Sequence, residues 1–146
     1  MSLHSASFSV YCSAVDDISL IEESLQWLAG PEAEFIRERS KSHHGAPQLT
    51  LSANITRKKT AKEAFTRLGS VALTSLQQGG LAELIDDDKN LHVRLDIDEL
   101  VCGRVSIARG QSRKFAVKGR FKIEAYPGQQ PLEIVNELID SSTSNR

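Results

Sequence analysis

Residues Ala6 to Ser13 alternate strictly, with Ala6, Phe8, Val10 and Cys12 on one side and Ser7, Ser9, Tyr11 and Ser13 on the other. Period two over this length predicts a half-buried strand. Asp16 and Asp17 then offer a helix N-cap. Ile18, Ile21, Leu25 and Leu28 recur at helical spacing up to Ala29, where Gly30 and Pro31 supply a stop. From Glu32 to Lys41 Phe35 and Ile36 stand adjacent among charges, which suggests an extended edge segment. A polar loop from His43 to Pro47 follows. Leu49, Leu51, Ala53 and Ile55 then alternate with Gln48, Thr50, Ser52, Asn54 and Thr56 as a second one-faced strand.

Thr60 and Glu63 have the spacing of a capping box, opening a long helix whose buried stripe is Ala61, Ala64, Phe65, Leu68, Val71, Ala72 and Leu76. Gly79 and Gly80 end it. Leu81 to Ile85 suggests a short helical turn and Asp86 to Asp88 an acidic turn. Leu91, Val93, Leu95 and Ile97, set against His92, Arg94, Asp96 and Asp98, predict a third strand. Residues 98–103 look like a helical turn closed by Gly103, Val105 and Ile107 like a further strand, and Gly110 to Ser112 like a turn. From Lys114 to Glu124 the alternation is cleanest, with Phe115, Val117, Gly119, Phe121 and Ile123 inward and Lys114, Lys118, Arg120 and Lys122 outward. Tyr126, Pro127 and Gly128 break that strand. Pro131 suits a first helical position, and Leu132, Val135, Leu138 and Ile139 give a last amphipathic helix before a tail, Ser141 to Arg146, that should fray.

There is no internal repeat and no linker, so residues 1–146 are expected to form a single domain. Strands with one apolar and one polar face belong to an antiparallel or mixed sheet covered by helices on one side only. The expected fold class is therefore two-layer α+β. The uncovered face would carry Ser, Thr and Asn side chains, Tyr11, His92, Arg94 and the Lys118 to Lys122 row.

Composition adds bounds. With 146 residues, 40% of them hydrophobic and 25% charged, the chain can bury a core without disulfides or metal. Met1 to Val15 has no signal-peptide pattern, and no run approaches the roughly 20 apolar residues of a membrane span. A cytoplasmic location with no membrane partner is the expectation. Cys12 and Cys102 lack any metal-ligand spacing and should be reduced, buried or half-buried residues.

Charge changes the picture more. The net charge is −1, yet residues 37–67 and 104–122 together hold 15 of the 18 Lys and Arg and sum to +13, while the rest of the chain sums to −14. Such a division points toward an anionic partner. Arg57, Lys58 and Lys59 stand just ahead of a helix start, whose partial positive charge makes each cation unfavourable by roughly 0.3 to 1 kcal/mol. A bound phosphate would relieve both them and the unpaired N–H groups, unless the side chains simply extend into screening water. Along the Lys118 to Lys122 row, same-face side chains are spaced roughly 6.6 to 6.8 Å apart, which suits successive phosphates. Charge guarding an edge strand is the alternative.

Phe115 and Phe121 interleave that row but face the other way, and Tyr11 is the one plausible exposed ring. Contacts should then be to phosphate and sugar, as in recognition of structured or double-stranded RNA by shape, rather than base stacking. His43 and His44 have no third ligand at a metal spacing, and three successive acids at Asp86 to Asp88 are ordinarily solvated. No Ser-His-Asp, Walker or GxGxxG pattern occurs, so neither an enzyme nor a cofactor is expected.

The loop His43, His44, Gly45, Ala46, Pro47, the basic run Arg57 to Lys59 before a helix, and Leu91 to Asp96 followed by Gly103 resemble an archaeal family of small RNA-binding proteins, some described as predicted exosome subunits. The likeness spans most of the chain. Ala46 stands where that family usually has Asn, and Ile97 where it tends to have Lys. The resemblance implies RNA binding and a fold similar to the large-subunit ribosomal protein that holds 5S ribosomal RNA. The expected RNA-contacting residues are Arg57, Lys58, Lys59, Lys62, Lys114, Lys118, Arg120, Lys122 and Arg94, with His43 and His44 beside them. The alternative is a protein-protein module or homodimeric adaptor using the uncovered sheet face.

Overall fold

The alternation of the first strand becomes β1 (Leu3–Ser13), the middle strand of an antiparallel five-stranded sheet. In chain order it is followed by α1 (Ile18–Ala29), β2 (Glu34–Lys41), β3 (Pro47–Ile55), α2 (Lys58–Arg67), α3 (Ser70–Gln78), a 3-10 turn (Leu81–Leu84), β4 (Asn90–Leu95), α4 (Ile97–Val101), β5 (Val117–Ile123) and α5 (Pro131–Ser144). The structure, a computed structural model, describes residues 3–13, 17–41, 47–108 and 116–144. Across the sheet the strands run β2, β3, β1, β5, β4, every neighbouring pair antiparallel.

Register sorts the side chains. Ala6, Phe8, Val10 and Cys12 of β1, Leu51, Ala53 and Ile55 of β3, Leu91, Val93 and Leu95 of β4, and Val117, Phe121 and Ile123 of β5 are all buried on one face. Against them lie Leu25 and Leu28 of α1, Phe65 of α2, Leu73 of α3 and Val135 and Ile139 of α5. Phe121 meets both Phe8 and Phe65 edge to face, with ring centroids 5.6 and 5.3 Å apart. Gly119 belongs to the same inward series, and a Cβ there would come within 3.1 Å of the Phe8 ring, so this site needs glycine for the strand to pass. The two-layer α+β architecture expected from the alternation is the one observed.

Four local expectations are corrected. Helix α2 starts at Lys58 with Arg57 as N-cap and no side-chain cap hydrogen bond. Thr60 is instead buried inside its first turn, its Oγ1 donating to Glu32 Oε2 at 2.7 Å. A carboxylate from across the layer outcompetes the local capping box. The single long helix is two, because Gly69 at φ +90 turns the chain between α2 and α3. Strand β4 ends at Leu95, since Asp96 Oδ1 accepts the Glu99 N–H at 3.1 Å and caps α4. Val105 and Ile107 form no strand; the returning chain makes one bridge, Ile107 to Leu95.

Helix α5 runs through Ser144, with Ser142 Oγ 3.4 Å from Thr66 Oγ1 of α2. Cys12 is buried as expected, whereas Cys102 is exposed. The loop residues His43 to Ala46, the Gly110 to Ser112 turn and Lys114 with Phe115 lie outside the described residues.

Candidate nucleic-acid interface

The helices cover only one side of the sheet, and strand register arranges the other side in lanes. On β4 stand Asn90, His92 and Arg94, which pair across with Lys122, Arg120 and Lys118 of β5. Those in turn face Ser5, Ser7 and Ser9 of β1. Beyond them Ser7, Ser9 and Tyr11 pair with Asn54, Ser52 and Thr50 of β3, which pair with Glu34, Ile36 and Glu38 of β2. The open face is thus graded, with cations over β4 and β5, small hydroxyl and amide groups over β1 and β3, and acids at the β2 edge.

Among the described residues Arg94, Lys118 and Arg120 form no ion pair. Lys118 Nζ lies 5.2 Å from the ring centroid of Tyr11, which is 54% exposed. That contact holds the ammonium over the face without neutralising it. Lys122 Nζ donates to the Asp88 carbonyl oxygen, a dipole rather than an opposing charge. With strands about 4.8 Å apart, Arg94, Lys118, Arg120 and Lys122 make a compact two-column block of like charge.

The acidic turn supports this block without filling it. Asp86 Oδ1 accepts the N–H groups of Asp88 and Asn90, each at 2.9 Å, and His92 Nε2 lies 2.7 Å from its Oδ2. The hydrogen bond with His92, followed by that from the Asn90 N–H, holds the Asp86 carboxyl well below the usual carboxylate range. Lys89, at φ +65, completes the turn. Asp86 thus organises a hairpin end. No group of three His, Cys, Asp or Glu able to hold a metal occurs among the described residues.

The α2 cations are placed differently. Phe65 packs on the Phe121 side, so Arg57, Lys58, Lys59 and Lys62 belong to the helical layer while Lys118, Arg120 and Lys122 point the opposite way. Arg57, Lys58, Lys59 and Lys62 do not share a face with Lys118, Arg120 and Lys122. Half of the α2 group is also compensated: Lys58 Nζ lies 2.5 Å from Glu124 Oε2 and Arg57 3.8 Å from Glu32, while Lys59 and Lys62 form no ion pair among the described residues. The Lys58 hydrogen bond and charge lower the Glu124 pKa, and the same contact raises that of Lys58. Lys62 lines a cleft with Glu124, Tyr126, Glu137 and Leu138. Between the two groups, at the end of the sheet, Asp87, Asp88 and Glu124 line one depression.

Of the residues expected from the sequence, Arg94, Lys118, Arg120 and Lys122 come together, and Arg57, Lys58, Lys59 and Lys62 form a separate group. His43, His44 and Lys114 lie outside the described residues. Sequence reasoning missed the neutralising partners Glu32 and Glu124, whose only signal is that each flanks the end of an element. The Ser and Asn54 lane of the open face follows the predicted alternation, whereas Ser5 and Glu34 at its ends were not read from the sequence.

No helix among the described residues is long and apolar enough to cross a membrane. The chain is similar in structure to a DUF54 protein from Methanothermobacter thermautotrophicus, at 24% identity over 99% of this chain and 100% of that one, TM-score 0.73. A DUF54 protein from Archaeglobus fulgidus is similar at 21% identity over 93% and 99%, TM-score 0.78. A UPF0201 protein from Methanococcus jannaschii is similar at 10% identity over 97% and 95%, TM-score 0.62. At these identities the likeness is one of fold. Among curated proteins none matches the sequence. A family model described as RNA binding matches residues 5–123, most of the chain and all of the sheet but Leu3 and His4, and this protein belongs to that RNA-binding family.

Proposed function

We propose that this chain is a non-enzymatic protein that binds structured RNA through the open sheet face, with Arg94, Lys118, Arg120 and Lys122 on the phosphate backbone. The observation carrying this is the block of four cations on β4 and β5 with no carboxylate paired to Arg94, Lys118 or Arg120 among the described residues. Uncompensated cations gain most from meeting phosphates, because binding releases counterions from the nucleic acid. Arg57, Lys58, Lys59 and Lys62 act as a weaker flank. The family resemblance extends the proposal to a cytoplasmic role related to exosome components and to a fold akin to the ribosomal protein that holds 5S ribosomal RNA.

Fluorescence anisotropy with a folded RNA hairpin at several salt concentrations tests it. Affinity should fall steeply from about 50 to 200 mM salt and drop at least about tenfold in Lys118→Glu/Arg120→Glu. Absence of binding at about 50 mM salt, or unchanged affinity in the double variant, rejects it. A second reading has its own support. One face carrying cations at one side and Glu34 and Glu38 at the other is complementary to a second copy turned by two-fold symmetry. Sedimentation as a dimer that dissociates with salt, without RNA affinity, would favour it.

A further inference from the structure

Ser is a poor strand former, yet Ser5, Ser7 and Ser9 occupy the open side of β1, the middle strand, and Ser52 faces Ser9 from β3. Among the described residues none of the side chains of Ser5, Ser7, Ser9, Ser52 or Asn54 has a hydrogen-bond partner, although all are half-buried. These short side chains between longer ones leave a trough. Its volume is about 590 Å³, with Ser5, Ser7 and Asn54 in its floor, Arg120, Lys122, Asn90 and Asp88 along one wall and Glu34 along the other.

The two cations stand on one side, with Asp88 and Asn90 at its end, and Glu34 is the one charge of the other side. A nucleic-acid strand can lie there in one orientation, phosphates toward Arg120 and Lys122 and away from Glu34. Its sugars then lie over the hydroxyl and amide floor, next to a carboxylate that only accepts hydrogen bonds. A ribose 2′-hydroxyl both donates and accepts, whereas a deoxyribose offers nothing at that position. We infer that this trough distinguishes RNA from DNA, with Glu34 and Asn54 accepting hydrogen bonds from ribose 2′-hydroxyls and Ser5 and Ser7 meeting them as donor or acceptor. The assignment rests on RNA lying along the open face, and it adds a sugar-reading function to a surface otherwise responsible for charge alone.

The test compares one sequence made as RNA, as DNA and as 2′-O-methyl RNA, by anisotropy against the whole chain. Wild type should bind RNA roughly three- to tenfold more tightly than either other form, the size of one net hydrogen bond. Asn54→Ala, which removes an amide without changing the charge, should narrow the RNA preference about two- to threefold and lower RNA affinity more than DNA affinity. Equal binding of all three probes by wild type overturns the assignment. If Lys118→Glu/Arg120→Glu still weakens all three equally, open-face phosphate binding survives that result. No binding of any probe overturns both. Because the 2′-O-methyl probe needs no substitution in the protein, the result does not depend on how the variant folds.

Discussion

The cations of α2 and those of β5 are similar in number and opposite in circumstance. At the start of α2, Arg57 and Lys58 stand 3.8 and 2.5 Å from Glu32 and Glu124, with Lys59 and Lys62 beside them. Strand β5 presents Lys118, Arg120 and Lys122 beside Arg94, His92 and a lane of serines. Charge density in the sequence is therefore a poor guide to charge available to a partner. Half of the first group is used within the fold, holding the start of a helix to the end of a strand and to the segment before β2, and the second remains for something outside it.

The widest separation between the two comes from charge reversal. Lys118→Glu/Arg120→Glu should lower RNA affinity by about tenfold or more and flatten the salt dependence by roughly two phosphate contacts, read as the slope of log affinity against log salt. Next, Gly119→Ala should leave every open-face charge in place while pressing a methyl group into Phe8. The expected cost is about 1 to 3 kcal/mol, seen as a lower denaturant midpoint with near-native RNA affinity in the folded fraction. Midpoint unchanged would mean that the strand shifts at no cost and the row is less rigidly set than described.

Reversal on α2 should matter less. Lys58→Glu/Lys59→Glu should reduce affinity by under about threefold, and a loss equal to that of the β5 pair would erase the distinction drawn between the two regions. The smallest effect concerns pH. Because the folded pKa of Glu124 is lowered, its contribution is present above the unfolded carboxylate value and lost as pH falls through the folded one. The raised pKa of Lys58 sets the other limit, with its contribution lost as pH rises through the folded value. Glu124→Gln should slightly flatten the acid side of a denaturation-midpoint profile between about pH 3 and 7, and an unchanged profile would show the pair to be fully screened.

Strands were legible wherever one face is buried, because a period of two leaves no ambiguity about which residues turn inward. Phe8, Leu51, Val93 and Phe121 all do so. The open-face members Arg94, Lys118, Arg120 and Lys122 followed directly from that alternation. What could not be read was anything decided by meetings far apart in sequence. Thr60 looks like a cap until Glu32 takes its hydroxyl, and Lys58 looks unpaired until β5 delivers Glu124. Ile97 continues an apolar alternation, but Asp96 offers the backbone a stronger local alternative and the helix α4 begins there. Gly69 lies within a helical period, and only its positive φ separates two helices.

Strand β2 sits at the rim of the sheet and bears charge on both of its surfaces, Glu34 and Glu38 on one and Arg37 and Arg39 on the other, with Arg37 2.6 Å from Glu22 of α1. A rim built in this way is a poor template for a further strand, since an incoming chain would have to match alternating signs while displacing hydrated side chains. The sheet is therefore guarded at this side against growth into fibres when the protein is concentrated. A second molecule that comes alongside β2 meets hydrated charge before it meets the strand backbone.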